Sequence, residues 1–319
     1  MERVSCNVCG SADSRILWKR GRYNTQVTNV VCTSCGLVYV NPRFTQHEHL
    51  IYYASDEYKK RYFQVERPTP KFLAWSMARA KAEYAFMDGL LHLGQFPSKR
   101  MLDVGCSDGA LLACFQEKGW IAEGIEPSAQ FAAEGKKRYG VRITTGLLEG
   151  MQYPARSFSF ISMIHVLEHT RDPLGTLVLV RRLLADSGYA YIEIPNIYRP
   201  EQSITYFFQE GHLYSFSPRT ITSLFRRAGL EIVTLNTENG NLRVFARKGK
   251  ERGIVSEDYR ALIRFVRMHT LWHHLTGRSC YYFCIRNGAR ALRACLGEEG
   301  LLAARKLKAR RLDCKFAHN

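Results

Sequence analysis

Residues 101–126 constrain this chain most: a short strand, a glycine-bearing loop, a helix and a second strand that ends on an acid. Met-Leu-Asp-Val at 101–104 runs into Gly105-Cys106-Ser107-Asp108-Gly109, and a helix over 110–118 is stopped by Gly119. Residues 121–125 read as the next strand. The alternation continues: Pro127-Ser128 opens a helix closed by Gly140, and 141–144 and 157–164 are strands. The second of these is near-continuously apolar, as parallel strands buried on both faces are. Asp172-Pro173 starts a helix expected to end near 186–188, followed by a strand over 189–194. Ser217-Pro218 caps a helix that stops at Gly229, and 230–235 with 241–247 form a terminal hairpin. This pattern predicts a doubly wound parallel sheet with its ligand site at the carboxyl ends of the strands. There Glu126, 23 residues after Asp103, can accept hydrogen bonds from both hydroxyls of a ribose. A dinucleotide site needs G-x-G-x-x-G to admit a pyrophosphate; here Ser107 leaves G-x-x-x-G, which points away from dinucleotides.

The ten cysteines separate into two kinds. Cys6-x2-Cys9 and Cys32-x2-Cys35 form two pairs, each followed by a glycine. Two such turns supply the four thiolates that a structural Zn²⁺ prefers, with no position left open for chemistry. Between them, Ile16, Leu17, Trp18 and Val27, Val30, Val31 read as short strands too few to form a core without a metal staple. Two disulfides are the alternative, and they need an oxidising compartment. A redox role is weaker still, since neither pair opens a helix. The other six, Cys106, Cys114, Cys280, Cys284, Cys295 and Cys314, are scattered and expected to be reduced; core filling is expected of Cys280 and Cys284.

The run from Leu102 to Gly109 resembles the glycine-rich first motif of class I S-adenosylmethionine (SAM) methyltransferases. Phe158-Ser159-Phe160-Ile161 occupies the fourth-strand slot, with Ser159 where the family usually has Asp. His165-Val166-Leu167-Glu168-His169-Thr170-Arg171-Asp172-Pro173 is similar to the "LEH…DP" signature of small-molecule members, and Tyr191–Asn196 resembles their fifth strand. With Cys35-Gly36-Leu37-Val38-Tyr39-Val40-Asn41-Pro42, the set resembles bacterial sugar and small-molecule methyltransferases that carry an N-terminal zinc ribbon. The resemblance runs from residue 1 to about 248 and leaves the tail uncovered. It implies an α/β fold: a doubly wound, mostly parallel, seven-stranded Rossmann-like sheet, with a small zinc ribbon before it and a helical extension after it. It implies SAM as cofactor, held by Asp103, Gly105, Cys106, Gly109, Glu126, Pro127 and His165, with Asp103 near the ammonium. It also implies structural zinc on Cys6, Cys9, Cys32 and Cys35. The domains expected are a ribbon over 1–45, a helical linker and cover over 46–98, a cofactor core over 99–248 and a basic helical extension over 249–319.

Methyl transfer from a sulfonium is an in-line displacement, so the protein aligns the acceptor and removes a proton where the acceptor is a hydroxyl. Histidine suits that task. Three candidates follow strand ends: His165, His169 one turn later, and His212 in the long segment after the fifth strand. That segment is similar to the His-containing loop of zinc-ribbon sugar C-methyltransferases, where a His and a nearby Tyr act as a base system. The family's Tyr three residues before the His is Gln209 here, and the large second domain of those enzymes is missing. In ubiquinone-pathway O-methyltransferases a Glu, Glu, His cluster at this spacing holds a divalent metal; His165, Glu168 and His169 stand at those positions. Glu168 and His169 have a plainer reading as a cap and brace of the following helix.

Net charge is +17, and residues 241–319, with 18 basic and 6 acidic side chains, carry +12 of it. The cofactor core is therefore only mildly basic. In the tail, Tyr259, Leu262, Ile263, Val266 and Leu271 follow helical spacing after a Ser256-Glu257-Asp258 cap, with Arg260, Arg264 and Arg267 on another face. Arg286, Arg290 and Arg293 recur the same way further on. Such helices either pack on the core or a twin subunit with solvated arginines, or meet an anionic membrane or glycolipid. No run of about 18 apolar residues exists to span a membrane, and residues 1–10 do not read as a secretory signal. The expected location is cytoplasmic, peripheral at the inner membrane surface. The favoured function is O-methylation of a glycan, glycolipid or other small biosynthetic acceptor. An RNA methyltransferase gripping RNA through ribbon and tail is the alternative. Against it, Asn196-Ile197-Tyr198-Arg199-Pro200 does not resemble the signature of exocyclic-amine methyltransferases. A non-enzymatic SAM-binding or scaffold protein is the third class.

Overall fold

A computed structural model describes residues 1–276 apart from 56, 64, 66, 201 and 202. The basic stretch beyond residue 276, with Cys280, Cys284, Cys295, Cys314 and the arginine repeats, lies outside the described residues.

Three strands open the chain, β1 (Ser14–Arg20), β2 (Gln26–Cys32) and β3 (Val38–Val40). Helices α1 (Gln46–Ala54), α2 (Glu57–Phe63) and α3 (Pro70–Leu91) follow. The alternating part comprises β4 (Arg100–Val104), α4 (Ala110–Glu117), β5 (Ile121–Glu126), α5 (Ala129–Tyr139), β6 (Arg142–Thr145), β7 (Phe158–Ile164), α6 (Pro173–Leu183) and β8 (Leu184–Pro195). A short helix α7 (Ile204–Phe207), strand β9 (Tyr214–Ser215), helix α8 (Pro218–Arg227), the hairpin β10 (Leu230–Asn236) and β11 (Asn241–Lys248), and helix α9 (Tyr259–Thr276) complete it.

The large sheet has seven strands in the order β10-β11-β8-β7-β4-β5-β6. Its five central and outer strands from β8 to β6 are parallel, and β11 and β10 add antiparallel pairs at one edge. This is the mostly parallel, Rossmann-like architecture expected. In β7 the first six residues are buried, as a central strand covered by helices on both faces requires. Its buried apolar side chains, Phe158, Phe160, Ile161 and Met163, each contribute about 1.5–3 kcal/mol by burial. Local signals act where expected: Ser128 Oγ accepts from Phe131 N at the start of α5, Gly140 ends it at φ 66°, and Asp172 accepts from Gly175 N at the start of α6. β4 lies between β5 and β7, so chain connections diverge on either side of it and open a crevice at its carboxyl end.

Two boundaries differ from expectation. α6 stops at Leu183 rather than near 186–188, and β8 starts at Leu184. Leu184 already pairs with Phe158, and a bulge before the Phe160–Tyr189 pair absorbs the extra residues. At the other end, Ser256 and Glu257 do not cap α9. The Glu257 amide donates to the Cys35 carbonyl and its carboxylate accepts from Ser217 Oγ (2.8 Å), so the helix begins only after Asp258.

The ribbon is not separate from the core. Its sheet has the order β1-β2-β3-β9, and β9 comes from the segment after β8. Cys6, Val8, Cys32, Cys35, Leu37 and Tyr39 are buried in one cluster with Leu177, Val180, Phe216, Ile221 and Leu224 of the large domain. On α9, Leu262 and Val266 are buried with Val31, Val38, Ile197, Ile204 and Phe208, while Arg260, Arg264 and Arg267 are exposed. The first turns of the extension therefore pack on the protein's own core.

Candidate functional site

A cavity of about 720 Å³ opens at the carboxyl ends of β4, β5 and β7 and is lined also by α1, α2 and α3. That volume is in the ordinary range for a cofactor and small ligand.

One end is built almost wholly from consecutive residues. After β4 the backbone turns through Gly105 (φ 73°) and Ser107 (φ 53°). A Cβ at Gly105 would lie 2.4 Å from Val166 Cγ2, so only glycine lets the loop pass the segment after β7. The amides of Gly105 and Cys106 both donate to the Ile125 carbonyl, which fixes the loop against β5. Glu126, 2% exposed at the end of β5, accepts from the amides of Ser107 (2.8 Å) and Ser128 (3.1 Å). Asp103 is buried and accepts from Ser162 Oγ at 2.7 Å. Burial pushes its carboxyl up to about 7, and burial likewise pushes the Cys106 thiol up. Asp103, Gly105, Cys106, Glu126, Pro127 and His165 all line the cavity. Gly109 does not. It is the N-cap of α4 at φ 72°, and a Cβ there would meet Val141 Cγ2 at 2.8 Å, so it serves loop geometry and packing under β6.

The other end gathers residues from distant segments. His165, at φ 54°, donates its amide to the Glu193 carbonyl (2.8 Å). Its Nε2 lies 3.3 Å from Glu193 Oε1 and its Nδ1 3.4 Å from Glu168 Oε1. Burial disfavours the charged ring, but these two carboxylates outweigh it and push His165 up to about 9. Glu193 is held down to about 2 despite burial, by His165, Tyr191 and Arg243. It accepts from Tyr191 Oη (2.7 Å), Asn241 Nδ2 (2.7 Å) and Arg243 Nε (2.9 Å). Arg243 also donates to Glu83 of α3, which locks the helix over the sheet.

His169 is buried in the single turn after β7. Its Nδ1 donates to the Gly211 carbonyl at 2.7 Å, and Tyr58 Oη lies 3.2 Å from Nε2. Burial keeps it neutral, and burial lowers His212 well below the usual range too. The His169 and His212 rings meet edge to face at 4.7 Å. Gln209, three residues before His212, hydrogen-bonds the His212 ring with its side-chain amide. All three histidines line the cavity.

Sequence reasoning missed several residues at this site. Tyr53 and Tyr58 come from the cover helices; Tyr53 Oη is 2.8 Å from His169 Nδ1. Thus tyrosines do stand beside the histidines, but from α1 and α2 rather than from position 209. Lys59 of α2 donates to Ser107 Oγ (3.1 Å) and lies 3.5 Å from Glu126 Oε1. Ser76 of α3 donates to Asp108 Oδ1 at 2.6 Å. The capping box at Thr45 and Glu48 marks where α1 begins, but no spacing says which of its faces meets the cavity.

The four cysteines of the ribbon have their Sγ atoms within 4.8 Å of one another. Cys6–Cys35 is 3.4 Å and Cys9–Cys32 is 3.5 Å, and all four are free thiols. Zinc–sulfur bonds of about 2.3 Å in a tetrahedron imply sulfurs about 3.8 Å apart, so the set is compatible with a zinc ribbon. Hydrogen bonds from Cys35 and Cys6 hold the Cys32 thiol low, and hydrogen bonding to Cys32 pushes Cys6 up to about 12. Four thiols this close cannot all ionise without a cation between them. A second group with donor atoms within 4.8 Å is Glu168, His169 and His212. His165, in place of which His212 enters this group, lies between Glu168 and Glu193, with Nδ1 toward the first and Nε2 toward the second.

Residues 78–235 match a family model described as a methyltransferase domain. Among solved structures, a 1,6-didemethyltoxoflavin-N1-methyltransferase of Burkholderia thailandensis, with its ligand and S-adenosylhomocysteine bound, is similar at 20% identity and TM-score 0.51. The match covers 73% of this chain and 100% of that one. An S-adenosylmethionine-dependent methyltransferase of Mesorhizobium loti is similar at 16% identity and TM-score 0.42, over 47% of this chain and 91% of that one. At these identities the likeness is one of fold. No curated protein matches the chain in sequence.

Proposed function

Since the chain is an S-adenosylmethionine-dependent methyltransferase, its methyltransferase domain spanning residues 78–235, we propose that it methylates an oxygen of a glycan, glycolipid or other small biosynthetic acceptor. The observation that carries this reading is the continuity of one cavity. It runs from Asp103 and Glu126 at the cofactor end to His165, His169 and His212 at the other, beneath side chains of α1 and α2. When bound, SAM supplies a methyl group already activated by a sulfonium. What is left to the chain is to align the acceptor and take up its proton. Glu126 is the ribose acceptor and Asp103 the partner of the ammonium. Glu126 fits that role because its oxygens are aimed by two backbone amides rather than by a side chain that could swing away.

At the acceptor end the three histidines divide their work. His165 has both ring nitrogens facing carboxylates and holds its proton at neutral pH, so it positions and does not deprotonate. His169 and His212 are neutral and carry the lone pairs that assist loss of the acceptor's proton. A roofed cavity lined by tyrosine, histidine and arginine suits a hydroxylated small molecule better than a base held in an RNA chain. We further infer a structural Zn²⁺ on Cys6, Cys9, Cys32 and Cys35, and peripheral contact with an anionic surface through the exposed arginines of α9.

An acceptor screen that monitors release of S-adenosylhomocysteine tests the reading. Turnover with a hydroxylated glycan or lipid-linked sugar supports it. Turnover with RNA alone, with a binding constant that falls steeply with salt, overturns it.

A further inference from the structure

Glu168 is the least explained group in the cavity. It is 1% exposed, and neither of its carboxylate oxygens has a hydrogen-bond partner. A carboxylate so placed is strongly unfavourable unless a cation compensates it. His165 offers part of that compensation at 3.4 Å, but its other nitrogen is committed to Glu193. Two further imidazoles stand near it: His169 Nε2 is 3.9 Å and His212 Nε2 4.0 Å from Glu168 Oε1. The His169 tautomer is set by the Gly211 carbonyl, which accepts from Nδ1 and leaves the lone pair on Nε2. Gln209 adds a further orphan: its Oε1 is buried with no partner while its Nε2 crowds the His212 ring. Rotating that amide by half a turn would place an oxygen, not an N–H, toward the same point.

We propose that Glu168, His169 and His212 hold a divalent first-row transition-metal ion, with Gln209 Oε1 as an optional further ligand and open positions toward the cavity. Glu168 Oε1 stands 3.9 Å from His169 Nε2 and 4.0 Å from His212 Nε2, and all three donors lie within 4.8 Å of one another, so an ion between them would be roughly 2.3–2.5 Å from each, close to the 2.0–2.2 Å of zinc bonds to imidazole and carboxylate. Two imidazoles and one carboxylate with vacant positions are a donor set that suits Zn²⁺, Fe²⁺, Mn²⁺ or Co²⁺ and leaves room for a ligand oxygen. The Tyr58 hydroxyl, 3.2 Å from His169 Nε2, is the group such an ion displaces from that lone pair. The ligands come from the turn after β7 and the loop after α7, so an ion would also tie these two segments together. Its role rests on the proposed acceptor site: an ion there would bind the acceptor oxygen and lower the pKa of its hydroxyl, whose proton would pass to water, so that His169 and His212 would assist loss of that proton by holding the ion rather than by accepting it themselves. The site itself rests only on the donor geometry.

The full-length protein, with its four-thiolate site filled by Zn²⁺, is titrated with Mn²⁺ and the free ion followed by electron paramagnetic resonance. Mn²⁺ prefers oxygen and nitrogen donors, so it reports this site rather than the thiolates. The expected result is one bound Mn²⁺ per chain, with affinity at least tenfold weaker in Glu168→Gln and in His212→Ala. Both variants should bind S-adenosylhomocysteine like the parent, and if one does not fold the other decides. No uptake by the parent at millimolar Mn²⁺, or equal uptake by parent and variants, overturns the proposal. Since resonance and not turnover is read, the outcome is independent of whether an acceptor is found.

Discussion

The two ends of the cavity are built on opposite plans. At the cofactor end, Asp103, Gly105, Ser107 and Glu126 lie within one strand–loop–helix–strand unit with Ser128 just after it, and most of the bonds that shape it run inside that stretch, with Ser162 reaching Asp103 from β7 and Lys59 reaching Ser107 from α2. At the acceptor end, His169 meets Tyr53, Tyr58, Gly211 and His212, and His165 meets Glu193, which is held in turn by Asn241 and Arg243. A local unit holds its shape wherever the fold forms. A convergent one depends on every element that contributes to it, including the ribbon, because β9 directly follows the His212 loop and pairs with β3. Binding of SAM should therefore survive changes that abolish methyl transfer.

The largest effect expected separates the two ends. His212→Ala should lower kcat by about 10²–10⁴, the usual worth of assisted proton transfer, with SAM affinity within about twofold of the parent. A matching loss of SAM binding would break the distinction. Chelation of the Zn²⁺ proposed for the ribbon, or Cys35→Ser, should act in the same direction. Turnover should fall by at least about tenfold as β3 and β9 lose their support, with a smaller loss in SAM affinity measured by calorimetry.

Glu126→Ala removes the proposed ribose acceptor and should weaken SAM binding by about 5–150-fold, two hydrogen bonds at about 0.5–1.5 kcal/mol each. Unchanged binding would remove Glu126 from the cofactor site. A pH series gives the next effect. Asp103 stands near 7 in the free protein because burial penalises its charge, and it must be ionised to pair with an ammonium. SAM affinity should then fall as pH drops below about 7 and level off above it, and Asp103→Asn should flatten the curve.

The smallest effect tests whether the cofactor end is as local as it looks. Lys59 reaches it from α2 and sits 3.5 Å from Glu126. Lys59→Met should change SAM affinity by no more than a few-fold; a change above about tenfold would mean that the cover helix is part of the cofactor site. In the same spirit, Glu193→Gln should bring the His165 pKa down from about 9 toward the usual histidine range, as read by NMR titration. The stability that this pairing adds is present below the unfolded histidine value and is lost as pH rises through about 9.

Legibility followed the same division. The caps at Ser128, Asp172 and Ser217 were readable because each acts on residues within a few positions of itself, and the glycine loop and Glu126 because they sit at fixed places in one strand–loop–helix–strand pattern. The four-cysteine set was readable because its spacing is the chemistry. The start of β8 at Leu184 was not, since a bulge opposite Phe158 decides it. Nor was the role of Gly109, expected to hold the cofactor but placed outside the cavity, where a Cβ on it would meet Val141. Tyr53 of α1 and Tyr58 and Lys59 of α2 carried no mark in short helices where aromatic and charged residues are interspersed along the sequence.

The amino-acid sequence by itself determined the alternating sheet, the cofactor loop and the paired thiols, because short-range sterics, capping and ligand spacing act between near neighbours. Tertiary structure alone decided which imidazole holds its proton and which remain free. Protonation depends on burial and on carboxylates brought in from β8 and the turn after β7, and those distances exist only once the chain has folded.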